Sequence, residues 1–135
     1  MSATAATLFD TIPQHDLLGF GLGPDFQPRR VVDWLDLRKA EVSHLADVSA
    51  NSVRYDEAIP AAMRDRLEEV AITCNMVAEA FGGDLVKTAM WFKARNPMLG
   101  DVSPRDMVRL GRFDRLRKFI LSAMSARQAP RAAAE

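Results

Sequence analysis

Residues 42–55 read VSHLADVSANSVRY, and the spacing of their apolar positions sets the class of the whole chain. Val42 and Leu45 stand three apart, as on one face of a helix, while Val48 falls in a turn and Val53 returns on the next element. These four form a compact internal core for two short helices. Ser43 is small where the two must approach closely, Asp47 tolerates the left-handed backbone of a tight turn, and Ser49 suits the cap of the second helix. Ala50, Asn51, Ser52, Arg54 and Tyr55 are then left to supply its outward face.

Working outward, the periodicity predicts helices at about 28–36, 39–46, 50–57, 60–81, 84–93, 104–110 and 112–125. Alternating β-branched runs are absent, so the expected class is all-α. Pro28 is a good first-turn residue. Pro60 opens the long helix, Gly82-Gly83 closes it, and Asp84 caps the next. Ser103-Pro104-Arg105-Asp106 approximates a capping box, and Gly111 stops the helix it starts. In the long helix, Met63, Leu67, Val70, Cys74, Val77 and Phe81 alternate steps of four and three, a seam for packing. Cys74 on that seam reads as a buried small hydrophobe. Ile72 and Met76 lie opposite, and face either a second neighbouring helix or a partner protein. HDLLGFGLGPDF (15–26) is expected as an ordered arm laid on the core. Its GFGLG lacks the preceding strand and spacing of a phosphate loop. The Ala/Thr-rich start of the chain, MSATAATLFDTI, is expected to be mobile.

The chain has 135 residues, 48% hydrophobic and 27% charged, an ordinary globular profile. No apolar run reaches the roughly 18 residues of a membrane span, the N-terminus lacks the pattern of a signal peptide, and a single cysteine allows no intramolecular disulfide. A cytoplasmic protein with no membrane partner is expected. The zero net charge is unevenly distributed: residues 1–28 carry three acids and no base, and residues 29–54 only one excess base. Residues 55–83 hold two bases against six acids, and residues 84–135 eleven bases against five acids. The helix pair is nearly neutral and the C-terminal part is basic, the reverse of a simple DNA-binding module.

LDLRKAEVSHLADVSANSVRY (35–55) resembles the Xre-type helix-turn-helix of phage-repressor-like regulators, with Asp47 where glycine is usual. A second stretch, MWFKARNPMLGDVSPRDMVRLGRFDRL (90–116), pairs aromatics at a helix end with a proline-containing loop, a capped short helix, a glycine stop and a basic amphipathic helix. That order, through Trp91, Asn96-Pro97, Leu99-Gly100, Ser103-Pro104 and Gly111, resembles the C-terminal toxin-binding domain of the Xre/MbcA/ParS-like antitoxins. The resemblances cover residues 28–125. They imply a helix-turn-helix (28–58) and a helical toxin-binding domain (59–125), and leave outside them an N-terminal arm (1–27), expected to be partly disordered, and a tail (126–135). The implied function is a type II antitoxin that blocks the NAD site of a RES-domain toxin, one that hydrolyses NAD or transfers ADP-ribose, and represses their shared operon. No cofactor belongs to the antitoxin, and the implied assembly is a homo-oligomer or a hetero-oligomer with the toxin.

On this basis Ser49, Ala50, Asn51, Ser52, Arg54 and Tyr55 are the candidate contacts to operator DNA; Arg and Asn suit guanine and adenine edges. The candidate toxin contacts are Trp91, Phe92, Asn96, Pro97, Met98, Leu99, Arg109, Arg112, Phe113 and Arg115. Trp91 by itself reads most simply as a core residue, and Asn96 as satisfying the backbone of its loop. Arg105, Arg109, Arg112, Arg115, Arg117 and Lys118 concentrate positive charge in one short stretch. They fit a solvated face, DNA phosphates, the phosphate-binding region of a nucleotide pocket, or an acidic toxin face. For an NAD-binding toxin pocket, which should itself be basic, the rim is the better match. Only His15 and His44 are available, and no nucleophile–base pair or metal-ligand spacing appears, so no enzymatic activity is expected. The other class of function open to this chain is a stand-alone transcriptional regulator, with the C-terminal part serving dimerisation or effector sensing.

Overall fold

A computed structural model describes residues 15–128, with side chains as far as residue 126. The expected mobility at the start of the chain and the tail after 128 lie outside them. Six α-helices and three single 3-10 turns make up the fold, and no strand occurs among the described residues. The helices are α1 (Pro28–Trp34), α2 (Lys39–Ala46), α3 (Ala61–Ala80), α4 (Leu85–Lys93), α5 (Pro104–Arg109) and α6 (Phe113–Gln128). The all-α class is therefore observed.

The local signals act as expected where they depend on few residues. Asp84 accepts a hydrogen bond from the Lys87 amide at 2.9 Å, and Ser103 Oγ accepts one from the Asp106 amide at 3.1 Å, so both helices start on a side-chain cap. Asp47 ends α2 in the left-handed conformation, φ 55°. Gly82 and Gly83 follow α3 at φ 66° and 84°. α2 starts with a box in which the Arg38 amide donates to Glu41 Oε1 at 2.7 Å.

Helix α3 is the centre of the structure: α1, α2, α4 and α6 all pack on it. Its seam of Met63, Leu67, Val70, Cys74 and Val77 is buried, and Phe81 packs against the core from its edge. Burial pushes the Cys74 thiol far above its ordinary range, so it stays protonated and inert. Ala71, Thr73, Asn75 and Ala78 are buried as well, so α3 has neighbours beyond its seam. Of the opposite pair, Met76 is half-buried, as is Ile72. One continuous core runs from Phe20 to Ile120 and takes side chains from both sides of residue 58. Arg66 ties this core together. Its Nε donates to the Leu45 carbonyl, its Nη1 lies 3.0 Å from Asp114, and its guanidinium sits 4.8 Å from the Phe113 ring centroid. The Arg66 hydrogen bond holds the Asp114 carboxyl below the usual carboxylate range.

The arm at 15–26 is ordered on the core, with Phe20 and Phe26 buried. Asp16 organises it: its two oxygens accept from the Phe20 amide at 2.9 Å and the Gly21 amide at 2.6 Å. The glycine-rich loop thus turns its amides onto an internal carboxylate. Buried Asn75 of α3 completes the dock, donating to Asp16 at 3.2 Å and accepting from the Leu18 amide at 2.9 Å. A chain of edge-to-face rings, Phe20–Trp34–Phe92–Trp91, with centroids 5.0–6.0 Å apart, then links arm, α1 and α4.

Candidate functional site

The predicted second helix at 50–57 does not form. Ala50–Ser52 makes one 3-10 turn, Val53 is extended, and the chain continues without helix to Ala61. The reason is visible in the packing. Val53 and Tyr55 both lie half-buried on the core, a spacing of two that belongs to extended backbone and that a helix would place on different faces. Ser and Asn in the same stretch compete with the helical backbone for hydrogen bonds. Ser49 does not cap through its side chain; its hydroxyl meets that of Ser52 at 2.7 Å.

The six candidate DNA contacts are consequently distributed otherwise than on one helical face. Ala50 and Asn51 are exposed on the turn and Ser52 is half-buried. Arg54 is exposed but clasped by Asp56 through two parallel hydrogen bonds, which raises the guanidinium pKa and holds the Asp56 carboxyl below its usual range. Tyr55 lies under Arg29, whose guanidinium is 4.9 Å from the ring centroid. Burial raises the Tyr55 phenol, with Arg29 opposing the rise. A base-reading arginine and tyrosine would have to leave these partners.

The ten candidate toxin contacts divide. Phe92 and Phe113 are 2% and 1% exposed, core side chains with no surface to offer, which corrects their assignment. Trp91 is half-buried, with its ring against Phe92. Asn96 accepts from the Met98 amide at 2.9 Å and is bridged to Val102, so it shapes the loop it was expected to satisfy. That loop lifts Pro97 and Met98 into solvent, Met98 at 76% exposure, with Leu99 half-buried against the core. Arg109 faces inward, its Nε 3.4 Å from Glu41 of α2 and its Nη1 3.4 Å from Asp106, and so joins α5 to α2. Arg112 and Arg115 are exposed.

Of the clustered bases, Arg109 and Arg117 pair with acids of other helices, Glu41 and Glu69. Arg105, Arg112, Arg115 and Lys118 have no ion pair among the described residues, and Arg105 Nε is buried without a hydrogen-bond partner. Beside them stand features that the sequence did not single out. Val86 and Met90, one turn apart on α4, are 71% and 65% exposed. Phe81, Trp91, Phe119 and Met124 line an apolar groove among α3, α4 and α6. A hint existed, since Val86 and Met90 fall off the face shared by Thr88 and Phe92, but which face meets the core is decided by tertiary packing. No group of His, Cys, Asp and Glu among the described residues could hold a metal ion. None of their helices is long and apolar enough to cross a membrane. Compared with family models, characterised proteins and solved structures, the chain matches none.

Proposed function

We propose that this chain is a protein-binding module of the antitoxin kind: it neutralises a RES-domain toxin by docking a face built from α4, the 97–100 loop and α6, as a hetero-oligomer. The observation that carries this is that these elements leave large apolar side chains in water and cations unpaired. Val86, Met90 and Met98 are each at least 65% exposed, and Arg112 and Arg115 lack internal ion pairs among the described residues. Scattered exposed apolar residues are ordinary, but methionine and arginine concentrated together mark interface chemistry. Blocking an NAD pocket needs no cofactor and no catalytic group on this side of the complex. Repression of a shared operon through residues 49–55 would need Arg54 and Tyr55 to leave Asp56 and Arg29, or a different surface to read DNA.

Growth rescue tests the proposal. Co-expression with a RES-domain protein encoded beside this chain should restore growth. The exposed substitutions Val86→Asp and Met90→Asp together should abolish the rescue while leaving the helical circular dichroism intact. Full rescue by that double variant would refute the assigned face.

A further inference from the structure

The groove beside Trp91 has a chemistry of its own. Its walls are Val77, Phe81, Trp91, Phe119, Ala123 and Met124, without a charged group in its lining, and its volume is about 140 Å³. Small-molecule pockets run to roughly 300–1,000 Å³, so this one has the scale of a single large apolar side chain. Two of the three aromatic walls are preceded by a cation one helical turn earlier, Lys87 before Trp91 on α4 and Arg115 before Phe119 on α6, and residues four apart share a helix face. Both cations are exposed, and neither has an ion pair among the described residues. Arg66, Arg109 and Arg117 each meet an acid within 4 Å, whereas these two, like Arg105, Arg112 and Lys118, have none among the described residues. The groove therefore presents an apolar slot with an exposed, unpaired cation one helical turn before two of its aromatic walls, its positive rims.

Resting on the toxin-binding role proposed above, we infer that this slot receives one short amphipathic segment of the toxin, an aromatic or leucine anchor flanked by aspartate or glutamate. The anchor buries in the slot, and the flanking carboxylates supply the counter-charges that Lys87 and Arg115 lack. Apolar fit gives affinity and the rim charges give orientation and choice of partner. A nucleic acid would satisfy the rims but leave the slot empty. A basic segment would fill the slot and be repelled at the rims.

Fluorescence anisotropy of labelled synthetic peptides on the full chain tests this. The probes are two helical peptides of about three turns with the same central Phe and Leu, one flanked by Glu and one by Lys. The Glu peptide should bind at least about tenfold more tightly at low salt. Lys87→Glu with Arg115→Glu should reverse the preference, and Ala123→Trp, an exposed position that fills the slot without opening the core, should remove binding of both peptides. Equal binding of the two peptides, or a preference unmoved by charge reversal, overturns the inference. Binding of the Glu peptide only after Leu8→Asp and Phe9→Asp would make the chain's own N-terminal segment the occupant and also overturn it. If the charge-reversed chain loses the Glu peptide yet rescues growth fully, the slot does not serve the toxin and the inference fails while the toxin-binding role stands. If the Glu peptide binds as expected but the unaltered chain rescues no growth, the slot and its acidic occupant stand and the toxin is not the source of that segment.

Discussion

Phe113→Ala should lower the stability of the chain by about 3–5 kcal/mol, the cost of emptying a fully buried aromatic site. Phe113 is 1% exposed at the start of α6, and the Arg66 guanidinium covers its ring. Removing the ring takes away apolar burial and the surface on which Arg66 rests, while Arg66 also holds Asp114 and the Leu45 carbonyl. A domain of this size has a total stability of roughly 5–15 kcal/mol, so the variant stands near the edge of folding. Chemical denaturation followed by circular dichroism reads the loss directly. A contact residue would behave in the opposite way, with unchanged stability and impaired partner binding. Met98→Ala, at 76% exposure, should show that second pattern. A denaturation midpoint for Phe113→Ala equal to that of the parent would show that the ring lies outside the core.

Gly21→Ala should cost at least about 2 kcal/mol, more than its single methyl group accounts for. Gly21 sits at φ 87°, where an L side chain is strained, and an added Cβ would lie 2.1 Å from the Asp25 carbonyl oxygen and 2.8 Å from its carbon. Both are backbone atoms and cannot swing aside as a side-chain tip would. The loop must open, and Asp16 then loses its grip on the Phe20 and Gly21 amides while the Phe20 ring is pulled from the core. Gly100→Ala is the control. It has φ 77° but meets nothing within 4 Å, so only the backbone strain remains, about 1 kcal/mol. Equal losses for the two would mean that the 21–25 contact carries no weight.

Much of the fold was legible because it rests on neighbours in the sequence. The 39–46 helix, the Asp84 and Ser103 caps, the left-handed Asp47 and the α3 seam each depend on a few adjacent residues, and each formed where expected. Residues 50–57 went otherwise because their conformation answers to distant partners. Val53 and Tyr55 are drawn onto a core made elsewhere, and Tyr55 lies under Arg29, which belongs to α1 on the far side of the α2 helix in the sequence. The Asp16–Asn75 dock joins the arm to the middle of α3, and no local pattern announces it. The candidate contact face was half legible. Composition marked out the aromatic and basic region, but whether Phe92 or Met90 turned outward depended on which side of α4 the ring of Trp34 would meet.

Titration calorimetry of a purified candidate RES-domain partner into this chain separates the proposed α4–α6 face from residues 49–55. Met98→Asp should weaken binding at least about 30-fold, the effect of losing a central anchor. Arg54→Ala, which breaks only an exposed pair with Asp56, should leave the affinity within about twofold. The opposite result, with binding lost on Arg54→Ala and retained by a folded Met98→Asp protein, would contradict the account and put the partner on residues 49–55.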